Sequence, residues 1–161
     1  MSVLGAGDGE DGRDGGAAPG ARHRAPPDVT IAQIEELLAA HGYEVSDQGG
    51  DVIRVCDPES GVMLRGVLEE NIFFLTISCM SVDPPRLTPE LMRRMLAAEN
   101  GISTSSFQLY PRTDGRVAIT LNNFCKLQDM GPEDRDDILS CVEFLMVDVM
   151  VARELIGDLA G

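Results

Sequence analysis

The stretch DILSCVEFLMVDVMVARELI, residues 137–156, is apolar on nearly every face that a helix could present. A surface helix of a globular domain buries one apolar stripe and keeps the opposite side polar. Here Phe144, Leu145, Met146 and Val147 run together, and Val149, Met150, Val151 and Ala152 follow. Ile138, Val142, Leu145, Val149, Ala152 and Ile156 form one stripe at helical spacing, while Phe144, Val147, Val151 and Leu155 form a second beside it. A helix of roughly 27 residues would extend some 40 Å, which is long for a chain of 161 residues. Two stripes need two coverings, so a sheet is expected under the first and another helix or a second chain over the other.

The remainder of the chain supplies that sheet. Thr30 with Gln33 has the spacing of a capping box, and Ile31, Ile34, Leu37 and Leu38 fall on one face before Gly42 stops the helix. His41 sits in the last turn, where an imidazole favours the negative end of the helix dipole, so a structural role is expected for it. From Tyr43 to Met80 the period changes to alternation, in YEV, DVIRVC, VMLRGVL and NIFFLTISCM, broken by DQGG, DPESG and EEN. Strands joined so tightly are antiparallel neighbours. The last of them carries Phe73, Leu75, Ile77 and Cys79 on one face and Ile72, Phe74 and Met80 on the other, which predicts a central strand covered on both sides. Thr88 and Pro89 then open a second helix with Leu91, Met92, Met95 and Leu96 as its stripe and Asn100-Gly101 as its end. Two strands follow around RTDG, with Phe107 and Leu109 sharing a face with Val117, Ile119 and Leu121. Pro132, Glu133, Asp134, Asp136 and Asp137 suit the positive end of the long helix.

Chemistry of the catalytic kind is not spelled out in these residues. The glycine-rich GDGEDGRDGG precedes any strand, so it matches no phosphate-binding loop, and its oxygen ligands lack the spacing of a calcium loop. A nucleophile needs a base, and His41 is the one histidine in the expected ordered part. Cys56, Cys79, Cys125 and Cys141 form no CxxC pair and lie in apolar segments, where free thiols act as small hydrophobes. Glu69 and Glu70 fall at a turn and Arg93 and Arg94 on a helix surface, both read as solvated charge. With 27 acidic residues against 13 basic ones, the formal net charge of -14 disfavours nucleic acid and anionic membranes. No apolar run approaches the ~20 residues that cross a bilayer, and no hydrophobic region of a secretory signal opens the sequence, so a cytoplasmic location is expected. No catalytic residue, metal ligand or cofactor is expected.

The predicted class is α+β: an antiparallel sheet of about five to six strands with three helices, in the order α-β-β-β-(β)-α-β-β-α. That order, with LTPELMRRMLAAENG followed by SSFQLYPRTDGRVAITLNNF and a terminal long helix, resembles the type III secretion chaperone fold. The fold is shared by Tir-chaperone-like proteins and by the YbjN-like family of candidate sensory transduction regulators. The similarity runs from about Thr30 to Leu159. For the secretion chaperones it implies an acidic homodimer that holds an extended effector segment on apolar patches. The glycine-rich tail and the heavily apolar last helix depart from that branch and favour the YbjN-like one, which implies a dimer-forming regulatory or chaperone-like binding module.

The expected function is therefore a non-enzymatic protein-binding adaptor acting as a homodimer and on a further protein or peptide. The alternatives are a type III effector chaperone, and a small-molecule sensor or enzyme accessory subunit with a pocket between the sheet and the long helix. Candidate interface residues are Met92, Met95, Leu96, Phe144, Val147, Val151 and Leu155. Residues 1–28 carry glycine, proline and charge in place of core side chains, and read as a disordered tail before a single domain at 29–161. Deleting 1–28 is expected to leave the thermal unfolding midpoint nearly unchanged, and a loss of folding on truncation would show that the segment packs.

Overall fold

The computed structural model describes residues 28–160, so all but the last residue of the expected tail lies outside it. Helix α1 spans Ile31–Ala40 and begins where Gln33 Oε1 accepts a hydrogen bond from the Thr30 amide at 2.9 Å. It ends at His41, whose Nδ1 lies 2.8 Å from the Leu37 carbonyl oxygen, with Gly42 at φ +91° turning the chain. Four strands follow as a meander: β1 Glu44–Gly49, β2 Val52–Cys56, β3 Met63–Glu69 and β4 Ile72–Val82. Helix α2, Pro89–Leu96, is capped by Thr88 Oγ1, which accepts from the Leu91 amide at 3.2 Å. Strands β5 Ser106–Pro111 and β6 Val117–Lys126 form the second hairpin, closed at Gly115, and α3 runs from Pro132 to Ala160 over 29 residues.

The six strands make one antiparallel sheet in the order β1-β2-β3-β4-β6-β5. All pairings but one join neighbours in sequence; the exception is β4 with β6, which runs from Ile72 opposite Lys126 to Val82 opposite Val117. Alternation sends Ile53, Val55, Leu64, Phe73, Leu75, Ile77, Ile119 and Leu121 to one face, where all are buried. The three helices gather there: α3 lies on β4 and β6, α1 lies on β1 and β2, and α2 packs against α3. The first stripe of α3 meets the sheet as its spacing requires, since Ile138, Val142, Leu145, Val149, Ala152 and Ile156 are all without solvent exposure. The described part therefore carries the three helices and six strands expected for this α+β class.

Two expectations fail. Strand β4 is central, yet only one of its faces is covered by helices, because all three pack on the side of Phe73 and leave Phe74 exposed on the other. Helix α2 stops at Leu96 instead of reaching Asn100-Gly101. The Asn100 side-chain amide donates to the Met95 carbonyl at 2.6 Å and so satisfies a group that one more helical turn would have paired.

Two residues of the core carry specific geometry. Gly66 on β3 faces inward, and a Cβ there would stand 2.6 Å from the ring of Phe73, so the missing side chain is what admits the aromatic. Asp148 is a carboxylate in the middle of the apolar helix, only 2% exposed. It accepts from the Ser103 amide at 3.0 Å, the Ser103 hydroxyl at 2.9 Å and the Ser105 amide at 3.4 Å, which ties the α2–β5 loop to α3. Burial pushes its carboxyl upward, but the hydrogen bonds from Ser103 and Ser105 outweigh that and hold it below its ordinary value.

A side chain at position 66 has no room without moving Phe73, so Gly66→Ala is expected to lower stability by about 1–3 kcal/mol, read by urea unfolding. Because the Asp148 carboxyl is depressed in the folded state, its contribution is present above the unfolded value near pH ~3.9 and is lost as pH falls through the folded value. Asp148→Asn should accordingly cost about 1.5–3 kcal/mol at neutral pH, and the gap from the parent protein should narrow below about pH 4.

Candidate functional site

The sheet face turned away from the helices is built from the outward-pointing half of the alternation. Val67, Phe74 and Phe124 stand in register across β3, β4 and β6, because Val67 pairs with Phe74 and Phe74 with Phe124. The two rings lie 6.2 Å apart between centroids at an interplanar angle of 41°, a tilted geometry that favours aromatic pairs. Phe124 is 63% exposed. Beside this apolar row runs a polar one, in which Arg54 stands opposite Arg65, Arg65 opposite Thr76, Thr76 opposite Asn122 and Asn122 opposite Ser106. Thr76 Oγ1 donates to Asn122 Oδ1 at 2.7 Å, and Asn122 Nδ2 donates to Thr120 Oγ1 at 2.8 Å. A groove of about 540 Å³ crosses this face, floored by Phe74, Thr76, Asn122 and Phe124 and walled by Gln108 and Tyr110 of the edge strand β5. It lies on the side opposite to the pocket expected between sheet and long helix. Strand alternation alone could have found it, since Phe74 and Phe124 each stand out of phase with their strand's buried residues.

The second surface is the outer side of α3. Phe144, Val147 and Met150, spaced by one helical turn, are 47%, 63% and 56% exposed, while the opposite side of the same helix is fully buried. Of the candidate interface residues, Phe144 and Val147 stand on this ridge, and Leu96 of the adjoining α2 is 78% exposed. Val151 and Leu155 are half-covered, and Val151 abuts the loop at Gly101, where a Cβ would lie 3.1 Å from its Cγ1. Met92 is half-buried. Met95 is a correction: it is buried among the core residues of its own chain, because α2 turns Leu91 and Met95 toward α3 and leaves Leu96 outside.

The cysteines are all free thiols. Burial pushes Cys79 up to about 11, which leaves it protonated and inert as a nucleophile at neutral pH. Cys125 of β6 and Cys141 of α3 share a hydrogen bond that, with burial, raises Cys125, while the same bond lowers Cys141. Among the described residues, no group of three or more His, Cys, Asp or Glu side chains is placed to hold a metal ion, and no helix is long and apolar enough to cross a membrane. Sequence reasoning gave Asp134 only a place at the positive end of the α3 dipole; its Oδ2 also accepts from the amides of Gln128, Asp129 and Met130 at 2.7, 2.9 and 2.8 Å and folds the turn that launches α3.

No family model matches the chain, and no curated protein matches it. Solved structures do. The crystal structure of YbjN, a proposed transcription regulator from E. coli, superposes with a TM-score of 0.60 at 14% identity, over 81% of this chain and 93% of that one. A chain of the heterodimeric ExoU–SpcU complex from the type III secretion system of Pseudomonas aeruginosa superposes with a TM-score of 0.50 at 17% identity, over 79% of this chain and 97% of that one. At these identities the likeness is one of architecture: the helix, four-stranded meander, helix, hairpin and long helix of this protein make a YbjN-like, secretion-chaperone-like fold.

Proposed function

We propose that the chain is a non-enzymatic protein-binding module, chaperone-like or a regulatory adaptor, that works in the cytoplasm as a homodimer. The observation that carries this is the α3 ridge of Phe144, Val147 and Met150, left in water on a helix whose other side fills the core. Side chains of this kind are worth roughly 1.5–3 kcal/mol each when fully buried, and a contiguous apolar ridge on a soluble chain marks a contact surface. Met92, Leu96, Val151 and Leu155 border it and would be drawn into the same contact. The ExoU–SpcU neighbour is itself part of a two-protein complex, which supports a binding role and keeps a type III effector chaperone as the narrower version of it. The net charge of -14 argues against nucleic acid and anionic membranes as partners. No cofactor enters this reading.

The groove on the open sheet face favours one other reading, a small-molecule sensor or enzyme accessory subunit. Its 540 Å³ falls within the range of small-ligand sites, and its amides and Tyr110 hydroxyl supply the few polar groups such sites use. Purification from the source cell separates the two, since a co-purifying protein supports the adaptor and a bound metabolite the sensor.

The homodimer is tested by sedimentation at micromolar concentration. The parent chain should sediment as a dimer and Val147→Glu as a monomer that keeps the parent's far-UV circular dichroism. A parent chain that stays monomeric would overturn the dimer.

A further inference from the structure

The open sheet face carries a charge arrangement that the dimer contact on α3 does not use. Arg54 on β2 and Arg65 on β3 are directly opposite one another, both exposed. Like charges in that register destabilise a sheet. Acidic residues outnumber basic ones 27 to 13 in this chain, so carboxylate partners are abundant. Other arginines take them: Arg93 pairs with Glu90, Arg112 with Asp114, and Arg116 with Asp83. Arg54 and Arg65 form no ion pair among the described residues. Their strand neighbours across the sheet are Ser46 and Thr76, neither of which carries charge.

One row further along the strands, on the same face, lie Phe74 and Phe124. With strands about 4.8 Å apart and residues about 3.3 Å apart along each, the midpoint of the arginine pair stands roughly 12 Å from the midpoint of the ring pair. In an extended chain, residues i and i+4 point the same way about 13 Å apart. Resting on the protein-binding reading above, we infer that this face docks an extended partner segment bearing a carboxylate side chain and, four residues on, a bulky apolar one. The carboxylate sits between the guanidinium groups of Arg54 and Arg65, and the apolar side chain covers the ring pair on the floor of the groove. Two arginines on directly opposed strand positions can both turn their forked donors to one carboxylate. A single-stranded nucleic acid could also stack on exposed rings, but its repeated phosphates would be repelled by a chain of net charge -14.

The test uses the full chain and fluorescein-labelled peptides of serine, threonine and glutamine that carry Glu and Phe roughly four residues apart, read by fluorescence polarisation. A second peptide replaces Glu by Lys, and a third moves Glu by one residue so that it points to the other side. The Glu peptide should bind at least about ten-fold more tightly than either. Arg54→Glu with Arg65→Glu should reverse the preference and select the Lys peptide, an outcome that loss of folding could not produce. Circular dichroism of that variant should match the parent, since both side chains are exposed. Equal binding of the Glu and Lys peptides, or a Glu preference that survives the charge reversal, overturns the inference while leaving the α3 dimer to its own test. Tighter binding of a single-stranded oligonucleotide than of the Glu peptide overturns it in favour of nucleic acid. If no peptide binds while a protein partner co-purifies, the adaptor reading stands and the sheet face is not its docking surface.

Discussion

The contact between α3 and the pair of strands β4 and β6 organises everything else. Six side chains of the helix, from Ile138 to Ile156, are sealed against Phe73, Leu75, Ile77, Ile119 and Leu121. Once that slab forms, the other helices have only the flanks of α3 to occupy, α1 over β1 and β2 and α2 along the helix itself. The space each can take fixes what remains exposed. The outer ridge of α3 stays exposed between the flanking helices, and no helix among the described residues covers the far side of the sheet. Both candidate binding surfaces are therefore by-products of where the core is.

Much of the architecture was legible in the sequence because its punctuation is strong. Thr30 with Gln33, Thr88 with Pro89, and RTDG each fall at the element boundary that they predict. The stripes of α3 were also readable, since a period of 3.6 residues over so long a run leaves little ambiguity. What failed were questions of partnership rather than period. NIFFLTISCM is apolar on both faces, and nothing local says that helices will cover only one. Met95 and Leu96 are adjacent in one apolar stripe, yet one is buried and the other exposed, because the eight-residue α2 is too short to present more than a narrow seam to α3. Asp148 was not singled out in the sequence, because its role depends on a loop some 45 residues away. The opposition of Arg54 and Arg65 depends on the register set by the DPESG turn, and a shift of one residue would send the two to opposite faces.

The two surfaces also differ in how they bear on specificity. The α3 ridge is a row of hydrocarbon with little directional chemistry, suited to a partner of matching shape such as a second copy. The sheet face combines rings, amides and two guanidinium groups in fixed cross-strand positions. Fixed polar groups discriminate by penalising a ligand that leaves them unpaired. A protein with both can assemble through one and select through the other without either interfering, because they lie on opposite sides of the sheet.

The strand order has a consequence for how the chain reaches its native state. Within the blocks β1–β4 and β5–β6 every pairing joins strands adjacent in sequence, so both blocks can zip from short hairpins on a microsecond timescale. The single junction between β4 and β6 joins residues as far apart as Ile72 and Lys126, and the loop-closure entropy of the whole sheet is concentrated there. Until α3 is available to cover that seam, two half-sheets with apolar faces and bare edges coexist, and these are the species most prone to pair with the wrong strand. Since α3 follows every strand in the sequence, a ribosome delivers the cover last, and the interval before it emerges is the time during which the nascent chain most needs protection.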